Sequence, residues 1–175
     1  MSTFDLRQAM RNLDITVKPF GYGDMRITPG LRGYSTDRWL AINPDERWPE
    51  MVTFHEMAHI LRGDTTYTGE LKKIVKKPFH SRQEMAMLDA FLDEKERNYD
   101  IVETECHVTG IFTCQITGTS FDLDHELEHL AGYTQGRIIP PPVLNNARKT
   151  AVKIAHAGAA DKHSWLDKLV AACLI

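Results

Sequence analysis

Two strings in this chain of 175 residues have the residue types and spacing of a metal site. His55, Glu56, Met57, Ala58 and His59 spell H-E-x-x-H, and so do His125, Glu126, Leu127, Glu128 and His129. On a helix, histidines at i and i+4 present both imidazoles on one face, where they can share a Zn²⁺, and the glutamate between them can act as general base on an activated water. The surroundings separate the two strings. A catalytic metal helix must be held rigidly against the core, which requires apolar or small residues on its other faces. Met51, Val52, Phe54, Met57, Ala58, Ile60 and Leu61 meet that requirement for the first string. The second is flanked by Asp122 and Asp124 and carries Glu128 where the first has alanine, so it is expected to be an exposed acidic helix.

A catalytic zinc takes a third protein ligand and keeps a position open for water. The segment DIVETECHVTG, residues 100–110, offers Glu103, Glu105 and His107 on one predicted helix. Glu103, Cys106, His107, Gly110 and Cys114 share a face that is rich in small residues and can approach the first string closely. Glu105 points roughly 160° away at about 100° per residue, so Glu103 is the preferred ligand and Glu105 the fallback. His107 has four readings: a further ligand, an orienter of one, a donor to a developing oxyanion, or a hydrogen-bonded core histidine. Cys106 reads as a small buried hydrophobe. Tyr67 and Tyr99 are candidate transition-state donors, whereas His80, His156 and His163 lack paired spacing and read as surface or packing residues.

These residues need elements to position them. The N-terminus reads as a short amphipathic helix through Phe4, Leu6, Met10 and Leu13 with Ser2 or Thr3 as cap. A strand is expected over 15–20, a turn-rich segment through Gly21, Gly23, Pro29, Gly30 and Gly33, and a second strand over 38–43 (RWLAIN). RWLAIN lies just before the active helix, and if it forms an edge beside the cleft it can pair with an extended substrate backbone. The first H-E-x-x-H lies in a helix over 48–61, closed by Gly63. Residues 64–80 read as an exposed connection whose Lys72, Lys73, Lys76 and Lys77 form a basic loop. Ser81 and Glu84 have capping-box spacing, and helical periodicity continues to about Ile116, with a break expected near 98–100 and an end at Gly118. Further helices are expected over 122–133, over 143–157 after the Pro140, Pro141, Pro142 stop, and from Asp161 onward. The sum is one mostly helical α+β domain over 1–175, with a small N-terminal β-sheet packed on the active-site helix.

Composition excludes several alternatives. Eight His but only three Cys, with no C-x-x-C pair, indicate neither a disulfide framework nor a thiolate zinc knuckle, so an intracellular, cytoplasmic setting is expected. The net charge of −3 gives no global basic footprint for nucleic acid. No apolar run approaches the roughly 20 residues that cross a bilayer.

MVTFHEMAHILRGD, followed after an insert by IVETECHVTGIF, resembles the ImmA/IrrE family of metallopeptidases and the related zincin-like domain of ArdC-type antirestriction proteins of phages and mobile elements. The upstream GYSTDRWLAINP is similar to the short strand before the active helix in that group, and HLAGYTQG with NNARKTAVKIAHA to its C-terminal helices. The resemblance implies a zincin fold, zinc ligands at His55, His59 and Glu103 in the gluzincin manner, and Glu56 as base. It further implies a hydrolase acting on a peptide bond in a protein partner such as a repressor. The sequence departs from the family at His107, where a small polar residue is usual. The rival expectation is a non-catalytic zinc-containing binding protein of antirestriction type that touches DNA through the lysine cluster.

Overall fold

The computed structural model describes residues 4–23, 27–63, 71, 73–74 and 76–160. Tyr67, Lys72, His163, most of the expected 64–80 connection and the helix expected from Asp161 lie outside them. Among the described residues the fold is α+β, with five helices and a three-stranded sheet. No helix there is long and apolar enough to cross a membrane.

Helix α1 (Leu6–Asn12) starts at Asp5, whose side chain accepts from Gln8 N at 3.0 Å, so the cap is Asp5 and not Ser2 or Thr3. The strand expected over 15–20 shrinks to β1 (Thr16–Val17), because the chain beyond it turns at Pro19 to Gly23. Strands β2 (Gly33–Thr36) and β3 (Trp39–Ile42) form a hairpin, with Ser35 opposite Leu40 and a two-residue turn at Asp37 and Arg38. The order is β1-β3-β2, with β1 parallel to β3. RWLAIN is therefore the central strand, which explains why consecutive Leu40 and Ala41 are both buried. The segment read as turn-rich supplies the edge strand β2.

Helix α2 (Pro49–Arg62) carries the first H-E-x-x-H and is buried at every position from Met51 to Ile60. Pro49 opens it, where a missing N–H costs nothing, and Gly63 closes it in the left-handed conformation. Phe54, Met57 and Ile60 join Ala9, Leu40, Ile111 and Ile154 in the main core, so α2 is held between the hairpin strands and the later helices. The edge strand lies directly against it: a Cβ at Gly33 would stand 2.9 Å from Val52 Cγ1, so only glycine fits there.

Helix α3 (Arg82–Thr117) is a single helix of 36 residues, about 54 Å long at the usual rise. The expected break at 98–100 is absent, since neither Gly nor Pro occurs between Ser81 and Gly110 to interrupt the ladder. The Ser81 and Glu84 capping box forms in both directions, and Gly118 ends the helix. Burial is confined to the stretch from Thr104 on. There Thr109, Thr113 and Thr117 each donate a hydroxyl to the carbonyl four residues back, at 2.7–2.8 Å, so these hydroxyls are satisfied within the helix.

Helix α4 (Leu123–Thr134) is capped by Asp122, and α5 (Pro141–Ala157) starts one residue after Pro140. The three prolines thus open the helix rather than stop the chain ahead of it, because Pro141 and Pro142 occupy the first turn, where no N–H is needed. Asp5 N donates to Gly158 O at 2.8 Å and Asn12 Nδ2 to Ala157 O at 2.7 Å, tying α1 to the end of α5.

Candidate metal centre

His55 and His59 leave the buried α2 side by side, with ring centroids 4.9 Å apart. Glu103 arrives from α3, immediately before its buried stretch. Its Oε2 lies 3.2 Å from His55 Nε2 and its Oε1 3.3 Å from His59 Nε2, while the two Nε2 atoms are 3.1 Å apart. These three are the residues whose ligand atoms converge among the described ones. Burial by itself would raise the Glu103 pKa, but the two imidazoles beside it hold the carboxylate well below the ordinary range.

Nitrogen and carboxylate ligands at about 2.0–2.1 Å on a tetrahedral centre lie roughly 3.3–3.4 Å from one another. The observed spacings of 3.1, 3.2 and 3.3 Å are close to such edges. Two imidazole nitrogens and a carboxylate are also the donors that suit a divalent transition metal, and three electron-rich atoms at this distance call for a cation or shared protons among them. The group could hold a metal ion.

The centre opens into a cavity of about 390 Å³ whose walls include β2, α2, α3 and α4. Glu56 lines it, buried on α2, and accepts a hydrogen bond from Ser35 Oγ at 2.7 Å. Ser35 belongs to the edge strand, which lines the cavity with Gly33 and Tyr34. The condition for substrate pairing by RWLAIN is therefore not met: β3 is paired on both sides, and β2 holds the edge at the cavity.

Glu105, the fallback ligand, does not join the group. It is buried and pairs with Arg62 at the end of α2, with Asn146 Nδ2 at 3.5 Å. His107 lines the cavity 5.6 Å from the His55 ring, yet its Nε2 is turned to Glu126, 2.9 Å from the carbonyl oxygen and 3.2 Å from Oε2. It sits as a hydrogen-bonded buried histidine. Cys106 is fully buried. Tyr99, four residues before Glu103, lines the cavity although its side of the helix is half exposed.

The second H-E-x-x-H is not the wholly exposed acidic helix expected of it. His125, Leu127 and Glu128 face outward, but Glu126 is 0% exposed. Arg32 donates to both of its oxygens at 2.8 and 2.9 Å and to both oxygens of Glu46 at 2.9 and 3.0 Å. Burial works against the charge on Glu126, but His107 and Arg32 bring its pKa down to about 2. One guanidinium thus clamps the loop before β2, the loop before α2 and α4 together.

Arg32, Ser35, Tyr133 and His129 also line the cavity, and sequence reasoning does not single them out for it. Tyr133 packs its ring 5.7 Å from His107, and burial followed by the nearby Glu103 pushes its phenol up to about 12. A signal for it exists in the spacing: Glu126, Leu130 and Tyr133 fall at i, i+4 and i+7 and so share the inward face of α4. His129 is half-buried, and burial and then the Arg32 charge lower its pKa. Lys73, Lys76 and Lys77 are exposed, Lys77 pairs with Glu84, and none of the three lines the cavity.

Comparison of the chain with protein-family models, with curated proteins and with solved structures finds no match.

Proposed function

We propose that this protein is a zinc-dependent metallopeptidase of zincin type that hydrolyses a peptide bond in a protein partner. The observation that carries it is the meeting of His55, His59 and Glu103 in one cavity that Glu56 also lines. The two histidines and Glu103 would hold the metal. Zinc bound there supplies Lewis acidity and a water acidic enough to be deprotonated near neutral pH.

The chain's own groups do the rest. Glu56 takes the proton of the attacking water and returns it to the departing amine. Ser35 donates to Glu56 Oε2, which fixes the carboxylate's rotamer and leaves Oε1 for the proton. The edge of β2 can pair with an extended substrate backbone and bring its carbonyl along the cavity wall. Tyr99 and Tyr133 both keep their phenols protonated at neutral pH and can donate to the oxyanion.

Substituting Glu56→Gln should leave metal binding unchanged and lower hydrolysis of a cleaved protein substrate by about 10²–10⁴-fold. Retained turnover in metal-loaded Glu56→Gln protein would overturn the mechanism.

A further inference from the structure

The second H-E-x-x-H remains unexplained by this function, and its histidines are presented much as the first pair is. The rings of His125 and His129 lie 4.8 Å apart, against 4.9 Å for His55 and His59. Both line a separate cavity of about 360 Å³ beside the main one, together with Asp45, Glu46 and Asp122. Neither imidazole hydrogen-bonds through its ring nitrogens to a described residue, so these nitrogens are uncommitted among the described residues. The Glu126 carboxylate is spent on Arg32 and His107 inside the protein, while His125 is exposed and His129 half-buried.

We propose that His125 and His129 form a second, exchangeable site for a divalent transition-metal ion such as Zn²⁺ or Ni²⁺, distinct from the His55, His59 and Glu103 centre. Two imidazoles one helical turn apart are a sufficient chelate for such ions, with water filling the remaining positions. Two guanidiniums share this cavity. Arg32 is neutralised by its forks to Glu46 and Glu126, and Arg47 lies over the Trp48 ring, while Asp45 and Asp122 add negative charge. With two protein ligands instead of three, the site binds more weakly and exchanges faster than the main centre. It is also not a hydrolytic copy of that centre, because the glutamate that would act as base faces the interior. His129 lines both cavities, so an ion held by the pair stands at the rim of the main one.

The test is a titration of metal-free, full-length protein with Zn²⁺, followed by calorimetry and by metal content after equilibrium dialysis. Wild type should take two equivalents, the second at least about tenfold weaker than the first. His125→Ala changes an exposed side chain and should lose only the weaker equivalent; the His55→Ala, His59→Ala double variant should lose only the tighter one. A wild-type stoichiometry of one up to millimolar Zn²⁺, or a second equivalent that persists in both His125→Ala and His129→Ala, would overturn the proposal. Neither outcome bears on Glu56, so the peptidase function stands or falls separately.

Discussion

At the scale of single residues, the centre is decided by which way two neighbouring carboxylates point. Glu103 and Glu105 are two positions apart on one helix, yet Glu103 reaches the histidines and Glu105 reaches Arg62. Their substitutions should therefore separate. Glu103→Gln is expected to weaken Zn²⁺ binding by more than the roughly 10–100-fold that loss of an outer partner costs, measured by competition with a chromophoric chelator. Glu105→Gln should leave that affinity within about threefold of wild type and lower thermal stability, because it removes the buried carboxylate that Arg62 pairs with at the end of α2. Equal loss of metal in both variants would show that the helical face has been assigned wrongly.

At the scale of elements, the meeting of His55, His59 and Glu103 requires α2 and α3 to approach closely, and Gly110 permits it. A Cβ at Gly110 would stand 2.7 Å from Met51 Sδ and 3.2 Å from Met51 O. The sulfur end can move but the carbonyl cannot, so Gly110→Ala should cost roughly 1–3 kcal/mol, read from denaturant unfolding. Gly132, on the outer side of α4, has no atom within 4 Å of the place an added methyl would take, and Gly132→Ala should instead stabilise the protein by about 1 kcal/mol. Opposite signs for the same chemical change would separate a glycine needed for packing from one that is only tolerated. The long α3 also shows why its buried stretch is legible in the sequence: small residues at Cys106, Gly110 and Cys114 mark a face that meets another helix. Its continuity through 98–100 is equally written in the lack of Gly and Pro, and the polar run there, which suggests an interruption, only marks a solvated stretch.

At the scale of the whole molecule, the Glu46, Arg32, Glu126 and His107 chain joins segments separated by up to 94 residues. Glu126 titrates at about 2 in the folded protein against an ordinary 4.5, so its contribution is fully present above pH 4.5 and is lost as pH falls toward 2. Glu126→Gln should lose about 3 kcal/mol at pH 7 and show a shallower fall in stability between pH 5 and 3 than wild type, by urea unfolding at each pH. Parallel pH profiles for the two proteins would mean that the ion pair contributes nothing net. None of this chain can be read from sequence, because Arg32 lies in a loop and its two carboxylates belong to segments with no local relation to it.

The sequence by itself determined that His55 and His59 share a face of an apolar helix, that Glu103 lies on a small-residue face, that Gly63 and Gly118 end α2 and α3, and that Ser81 and Glu84 cap α3. All of these follow from interactions within a few residues. Only the tertiary structure decided that β2 and not β3 is the edge at the cavity, that Glu105 turns to Arg62, and that Glu126 is buried while His125 is exposed and His129 half-buried. Strand order and the partner of a buried charge depend on segments far apart in the chain. No local spacing records which of them come together.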